Sequence, residues 1–143
     1  MADKNYARAL EVCKKACNEN LSSTCWTTGN IYQYGLGISQ NYLLARQYYE
    51  KSCLLGNHNG CLALAYIYIK GDGIQSDDHL AAIFGEHSCK LGNGEGCYFT
   101  ALVYATKKHL TNNDPKLLDS MRSKYLKEAC DLQYEDACEM LKQ

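Results

Sequence analysis

Apolar side chains recur along this chain at the spacing of an amphipathic helix, in segments of about a dozen residues. Within residues 42–55 the apolar positions follow the three- and four-residue steps of one helix face. Asn41 or Ser39 can cap the start of this helix, and Gly56 can end it in the left-handed conformation. Residues 58–70 repeat the apolar pattern. The segment therefore predicts a helix, a tight turn and an antiparallel partner helix.

The same pattern returns at a step of 36 residues. Equivalent positions hold Tyr32, Tyr68 and Tyr104, and the turn between the helices holds Asn20, Gly56 and Gly92. A fixed period of this length indicates a stack of repeats. The units cover residues 5–36, 41–72, 77–108 and 114–143 of a single domain, 1–143. The fourth unit departs twice, because Gln133 fits the turn poorly and five extra residues precede Cys130.

The cysteines keep a constant spacing. Eight of the nine form pairs that are eight residues apart: Cys17 and Cys25, Cys53 and Cys61, Cys89 and Cys97, Cys130 and Cys138. Each pair flanks a predicted turn, which brings the two Cα atoms within the roughly 4.4–6.8 Å that a disulfide requires. We expect four disulfides, each contributing about 2.5 kcal/mol by the chain-entropy estimate. Zinc is the alternative, although structural zinc ligands usually stand two to four residues apart.

Cys13 has no partner in this scheme and lies one helical turn before Cys17. It is either a small side chain on the packing face or a reactive thiol that exchanges with Cys17 or links two molecules.

Composition narrows the function classes. The 143 residues are long enough for one domain with a core. Fifteen basic residues against sixteen acidic ones provide no basic stripe for nucleic acid. The longest apolar run, 61–69, is far shorter than the ~18 residues of a membrane span. Residues 1–5 lack the apolar segment of a secretory signal, so the chain is either intracellular or a mature form. Regular disulfides favour an oxidising compartment: the periplasm, the cell exterior or a mitochondrial intermembrane space.

Catalytic motifs are missing from the sequence. No serine is followed three residues later by lysine, as a serine β-lactamase requires. The four histidines, His58, His79, His87 and His109, are scattered without metal-binding spacing. We therefore expect no catalytic site, no metal and no cofactor.

Two consecutive motifs carry a family resemblance. They are Gly29-x-x-Tyr32-x-x-Gly35-x-Gly37-Ile38 and Ala45-x-x-Tyr48-Tyr49-x-Lys51-x-Cys53. Together they resemble the Sel1-like repeat, a relative of the tetratricopeptide repeat, and the paired cysteines make the chain similar to the Helicobacter cysteine-rich protein family. Lys107 and His109 depart from the motif, where they replace two glycines. A longer loop at 107–113, or an added helical turn from Pro115, would absorb the extra residues.

The resemblance implies an all-α, right-handed α/α solenoid of four helix-pair repeats, each stapled by one disulfide. It also implies a periplasmic or secreted protein whose concave face binds a ligand. By likeness to tetratricopeptide repeats, the groove residues are Trp26, Asn30, Gln33, Tyr34, Tyr66, Lys70, Tyr98 and Phe99. Aromatic anchors among polar groups suit recognition, although these rings could instead cover the next repeat. Tyr32, Tyr68 and Tyr104 are expected to pack between helices.

Two functions follow as hypotheses. The first is a monomeric, non-enzymatic scaffold in host or envelope interactions that binds a peptide, a protein segment or a cell-wall fragment of peptidoglycan type. The second, implied by the family resemblance alone, is a penicillin-binding protein with slow β-lactamase activity.

Overall fold

The computed structural model describes residues 4–143, and residues 1–3 of the predicted domain lie outside the described residues. The helices in chain order are α1 Lys4–Asn18, α2 Ser22–Tyr34, α3 Tyr42–Leu54, α4 His58–Lys70, α5 Asp78–Lys90, α6 Gly94–Thr106, α7 Pro115–Asp131 and α8 Glu135–Leu141. A short 3-10 helix, Lys108–Thr111, separates α6 from α7. The predicted all-α solenoid of helix pairs is confirmed. Between residues 4 and 143, no helix combines the length and the apolarity that crossing a bilayer demands.

Each helix packs mainly against its neighbours in the chain. Contact is most extensive between α2 and α3, between α4 and α5, and between α6 and α7. In each of these pairs, a ring on the first helix stacks on a ring of the second. The pairs are Tyr32 with Tyr48, Tyr68 with Phe84, and Tyr104 with Tyr125, with ring centroids 5.7, 5.7 and 6.0 Å apart. The predicted packing role of the three repeated tyrosines is confirmed.

Polar side chains set where the helices begin. Asn41 caps α3 by accepting a hydrogen bond from the backbone N–H of Leu44 at 3.0 Å, which confirms it as the cap. Asn and Asp side chains cap four later helices in the same way: Asn57, Asp77, Asn93 and Asp114. The starts of most helices in the stack are therefore fixed by local chemistry.

The turn inside the fourth unit forms without glycine. Gln133 adopts a φ of 65°, in the left-handed region that Asn20 and the equivalent glycines also occupy. The backbone N–H of Tyr134 then bonds the carbonyl of Ala129 at 3.0 Å, as Asn57 bonds Ser52 in the second unit. The expected misfit of Gln133 therefore leaves the turn intact.

All four predicted disulfides are present, with Cα atoms 4.4–4.7 Å apart. They join α1 to α2, α3 to α4, α5 to α6 and α7 to α8. These are the neighbouring pairs with the less extensive contact. The eight sulfurs are paired as disulfides in this structure, so none of them offers a thiolate to zinc. Cys13 is half-buried and unpaired.

Small side chains let the stapled helices approach closely. Gly60 precedes Cys61, and a Cβ added to it would lie 2.5 Å from Ser52 Oγ and 2.9 Å from the backbone nitrogen of Cys53. Ser52 is fully buried and donates a hydrogen bond to the carbonyl of Ser22 at 2.9 Å. Gly96 meets Ser88 in the same manner in the third unit. The glycine thus allows the close spacing that the adjacent disulfide needs.

The extra residues of the fourth unit lengthen both the connection before α7 and α7 itself, so each of the two predicted alternatives is found in part. The 3-10 helix lengthens the connection, and α7 has 17 residues where α5 has 13.

The contact across this connection also changes character. In the second unit a Cβ on Gly73 would collide with Tyr42, so the ring lies directly on the turn. Thirty-six residues later the same two positions are Asp78 and His109. Asp78 pairs with His109 at 3.2 Å and with Lys107 at 3.5 Å. An apolar contact at one junction is therefore an ionic one at the next.

Reduction should remove much of the stability of the fold. Four small crosslinked loops contribute about 2.5 kcal/mol each, an upper sum comparable to the whole stability of a domain. We expect dithiothreitol to lower the melting temperature by more than 10 °C or to abolish cooperative melting, followed by circular dichroism. Cys13→Ser is the control, and without reductant it should melt like the wild type. A melting curve indifferent to reductant would contradict the prediction.

Gly60→Ala should destabilise the oxidised protein by about 1–3 kcal/mol, because its methyl group has no space between α3 and α4. Urea unfolding measures the change. Asn59→Ala, one residue away in the same helical turn, should cost less than half as much. Equal effects of the two substitutions would show that the close approach is unimportant.

Candidate functional site

The second helices of the first three stapled pairs, α2, α4 and α6, share one face that contains an open cavity of about 420 Å³. The cavity is lined by Trp26, Asn30, Gln33, Tyr34, Tyr49, Asn59, Leu62, Ala63, Tyr66, Lys70, Asp72 and Glu95. Six of the eight residues predicted for the groove are in this lining. The face combines three exposed or half-exposed rings with carboxamides and charged groups.

Two predicted groove residues lie elsewhere. Phe99 is 7% exposed and packs edge-on against Tyr66, with ring centroids 4.9 Å apart. Its ring also occupies the space beside Gly85, where a Cβ would approach it to 3.0 Å. The structure therefore places Phe99, predicted as a groove residue, in the packing between α6 and α5 and outside the cavity lining. Tyr98 lies outside the lining and packs on Tyr134, with centroids 5.0 Å apart.

Tyr49 belongs to the cavity although it comes from the other layer. Its ring on α3 is fully buried, and its hydroxyl lies 2.6 Å from Asn30 Oδ1 and 2.6 Å from Gln33 Oε1. Burial raises the pKa of Tyr49, with a smaller contribution from Tyr34, so the phenol stays protonated. Sequence reasoning treated Tyr49 as one more apolar position. The available signal was its hydroxyl, since a buried tyrosine usually has a polar partner.

Charged groups line the cavity on α4, in the turn that follows α4 and on α6. Tyr66 donates a hydrogen bond to Glu95 Oε1 at 3.3 Å, and Lys70 Nζ lies 5.8 Å from the centre of the Tyr66 ring. Burial and the Glu95 carboxylate raise the pKa of Tyr66 to about 12, so its hydroxyl is neutral near pH 7. The lining therefore holds two carboxylates, those of Asp72 and Glu95, and one ammonium group, that of Lys70.

Three polar lining residues were missed by the sequence analysis: Asn59, Asp72 and Glu95. Asn59 and Glu95 are 36 residues apart in the first turns of α4 and α6, so the repeat alignment held a signal for them. Asp72 lies in the turn after α4, where the period alone does not show which way a side chain points.

One cluster of possible metal ligands occurs among the described residues. It joins Cys89, Cys97 and Glu128, whose ligand atoms lie within 4.8 Å of one another. A Glu128 carboxylate oxygen is 3.1 Å from Cys89 Sγ. The two sulfurs form a disulfide and so offer no thiolate to a cation.

Comparison with known proteins agrees with this architecture. The Sel1 repeat family model matches residues 25–57 and 58–93. No curated protein sequence matches the chain. Two solved structures share the fold over 90% of this chain. A Sel1 repeat protein from Oxalobacter formigenes has a TM-score of 0.75 at 20% identity, and a protective antigen of uropathogenic Escherichia coli strains with an SLR fold has 0.76 at 18%.

A third structure is more similar in sequence. Cysteine-rich protein B of Helicobacter pylori is 32% identical over 62% of this chain, with a TM-score of 0.60. The chain spans 50%, 27% and 66% of the lengths of these three proteins, in the order given. The chain therefore contains Sel1 repeats at residues 25–57 and 58–93, within a helical solenoid whose fold matches Sel1-repeat proteins.

Proposed function

We propose that this chain is a binding scaffold that holds a peptide or a segment of a protein partner in the cavity between α2 and α4. The observation that carries the proposal is the lining itself, where Trp26, Tyr34 and Tyr66 stand beside the carboxamides of Asn30 and Gln33. Rings supply apolar area at a low cost in conformational entropy, and carboxamides satisfy the polar groups of a bound chain.

The stack supports this use because it holds the lining in place. Tyr49 is fully buried at the base of the cavity, and the Cys53–Cys61 disulfide follows it within one helical turn. A groove that is already formed loses little entropy on binding, which favours affinity.

We further propose that the protein acts outside the cytoplasm. Four disulfides are typical of oxidising compartments. Helicobacter pylori cysteine-rich protein B, which is 32% identical over 62% of this chain, is by its name also rich in cysteine.

The β-lactamase hypothesis gains no support from the cavity. The residues that line it include no serine, cysteine or histidine. The classical acylation of a serine therefore has no nucleophile here, and any lactam hydrolysis in the cavity would have to use Lys70 or a carboxylate of Asp72 or Glu95.

Replacing either large ring should weaken peptide binding strongly. We expect Trp26→Ala and Tyr66→Ala each to weaken binding by about thirtyfold, because buried aromatic anchors usually contribute about 2 kcal/mol or more. The immobilised oxidised protein is exposed to a pool of random capped octapeptides, retained peptides are identified by mass, and calorimetry measures their affinity.

Leu54→Ala is the matched control, since Leu54 is 88% exposed and lies outside the cavity lining. It should retain the same peptides, and circular dichroism should show all variants folded. Retention by Trp26→Ala at wild-type affinity would refute the proposal. Selective retention of fragments from a parallel peptidoglycan digest would replace the peptide with a cell-wall ligand.

A further inference from the structure

We infer, on the basis of the proposed peptide groove, that Asn30 and Gln33 bind the backbone N–H and C=O of one residue of an extended peptide and that Tyr49 sets their orientation. Tyr49 is then a positioning residue that acts through the two carboxamides. The inference names the part of the ligand that the polar centre of the groove recognises.

The two carboxamides are neighbours on one helix face. Asn30 and Gln33 are three residues apart on α2, a spacing that brings side chains together. Both line the cavity, and the carboxamide oxygens of both lie 2.6 Å from the same phenol oxygen. Because the Tyr49 ring is fully buried, its hydroxyl is a fixed reference point for both groups.

The phenol carries one proton, so it donates to one carboxamide oxygen and not to both. The other carboxamide also forms a hydrogen bond once its amide group is rotated by about 180°, because its NH₂ group then donates to the phenol oxygen. The two ends of a carboxamide are similar in size, so the turn leaves the packing unchanged. One residue thus presents its oxygen to Tyr49, and the other presents its nitrogen.

The ends that remain for the cavity are consequently unlike. One carboxamide offers an NH₂ donor and the other offers a carbonyl acceptor. An extended peptide presents the N–H and the C=O of a residue on the same side, as the hydrogen-bonded pairs of antiparallel strands show. A donor and an acceptor side by side therefore match one residue of a peptide backbone.

The surroundings favour a peptide with apolar and basic side chains. Trp26 stands one helical turn before Asn30 on α2, and Tyr66 of α4 lines the same cavity, so two rings belong to the lining together with the carboxamide pair. The two carboxylates of Asp72 and Glu95 exceed the single ammonium of Lys70. This balance attracts a lysine or arginine side chain more than an acidic one.

The test uses small probes that need no knowledge of the peptide sequence. The ¹⁵N-labelled chain is titrated with N-acetyl-L-phenylalanine N-methylamide, and separately with methyl 3-phenylpropanoate, which keeps the ring and lacks both amides. We expect the wild type to prefer the amide probe by about fivefold, the typical effect of one net hydrogen bond. The side-chain NH₂ signals of Asn30 and Gln33 should shift with the amide probe alone.

Tyr49→Phe should bring the preference close to one while binding of the ester probe stays unchanged, because the ring contacts remain. Tyr104→Phe is the matched control, since it removes a tyrosine hydroxyl that bonds Glu86 outside the cavity lining. It should keep the wild-type preference. If the hydroxyl of Tyr49 were merely structural, Tyr49→Phe would weaken both probes equally.

Three results would overturn the inference: equal affinity of the wild type for both probes, an unchanged preference in Tyr49→Phe, or no response of the two carboxamides. Binding of N-acetylglucosamine at Asn30 and Gln33 as strongly as the amide probe would also overturn it, because the recognised group would then be a sugar acetamide and not a peptide backbone. Octapeptides that bind and depend on Trp26 would leave the proposed function standing in each of the first three cases.

Discussion

The close approach of consecutive helices at each stapled turn is the constraint on which this fold depends. In a solenoid every unit touches only its neighbours, so no distant contact can compensate for a weak junction. Here the junctions alternate between broad contact, as at α2 and α3, and narrower contact, as at α3 and α4. The disulfides occur at the narrower junctions. Covalent bonds therefore supply stability where consecutive helices have the less extensive contact, and Gly60 provides the space for one of them.

The fold could be predicted from sequence because its determinants are local and periodic. A cysteine pair at a fixed offset, a turn residue between its members and an apolar face on either side repeat with little change. Even Gln133, which breaks the turn pattern, follows the geometry because the cost of a left-handed non-glycine residue is about 1–2 kcal/mol. The flanking disulfide and helix contacts exceed that cost. The position of a repeat boundary could not be predicted in the same way, because a repeating pattern does not show at which residue a unit begins. The predicted units begin at the first helix of each stapled pair, whereas the Sel1 matches begin near the second.

The candidate site was less predictable because a helix position does not specify which neighbour a side chain meets. Phe99 was assigned to the groove by alignment, yet Gly85 on α5 leaves a space that the ring fills. Tyr49 was treated as one apolar position of its helix, which fits its buried ring and leaves out its hydroxyl. Both differences arise between helices that are consecutive in the stack. A sequence pattern shows which face of a helix is apolar. How deeply a side chain on that face is buried depends on the size of the residue opposite it on the neighbouring helix.

The staples and the cavity are mechanically linked through α3. Cys53 lies one turn after Tyr49, so the bond that fixes the end of α3 against α4 also fixes the height of the phenol beneath the cavity. Asn30 comes from α2 and Tyr66 from α4, and α3 packs between these two helices along the chain. A shift of α3 would change the distance from the phenol to both carboxamides at once. In a groove that recognises the backbone N–H and C=O of a peptide residue, the disulfides would thus maintain hydrogen-bond geometry as well as stability. This gives the crosslinks a role in binding that a better-packed core could not supply as directly.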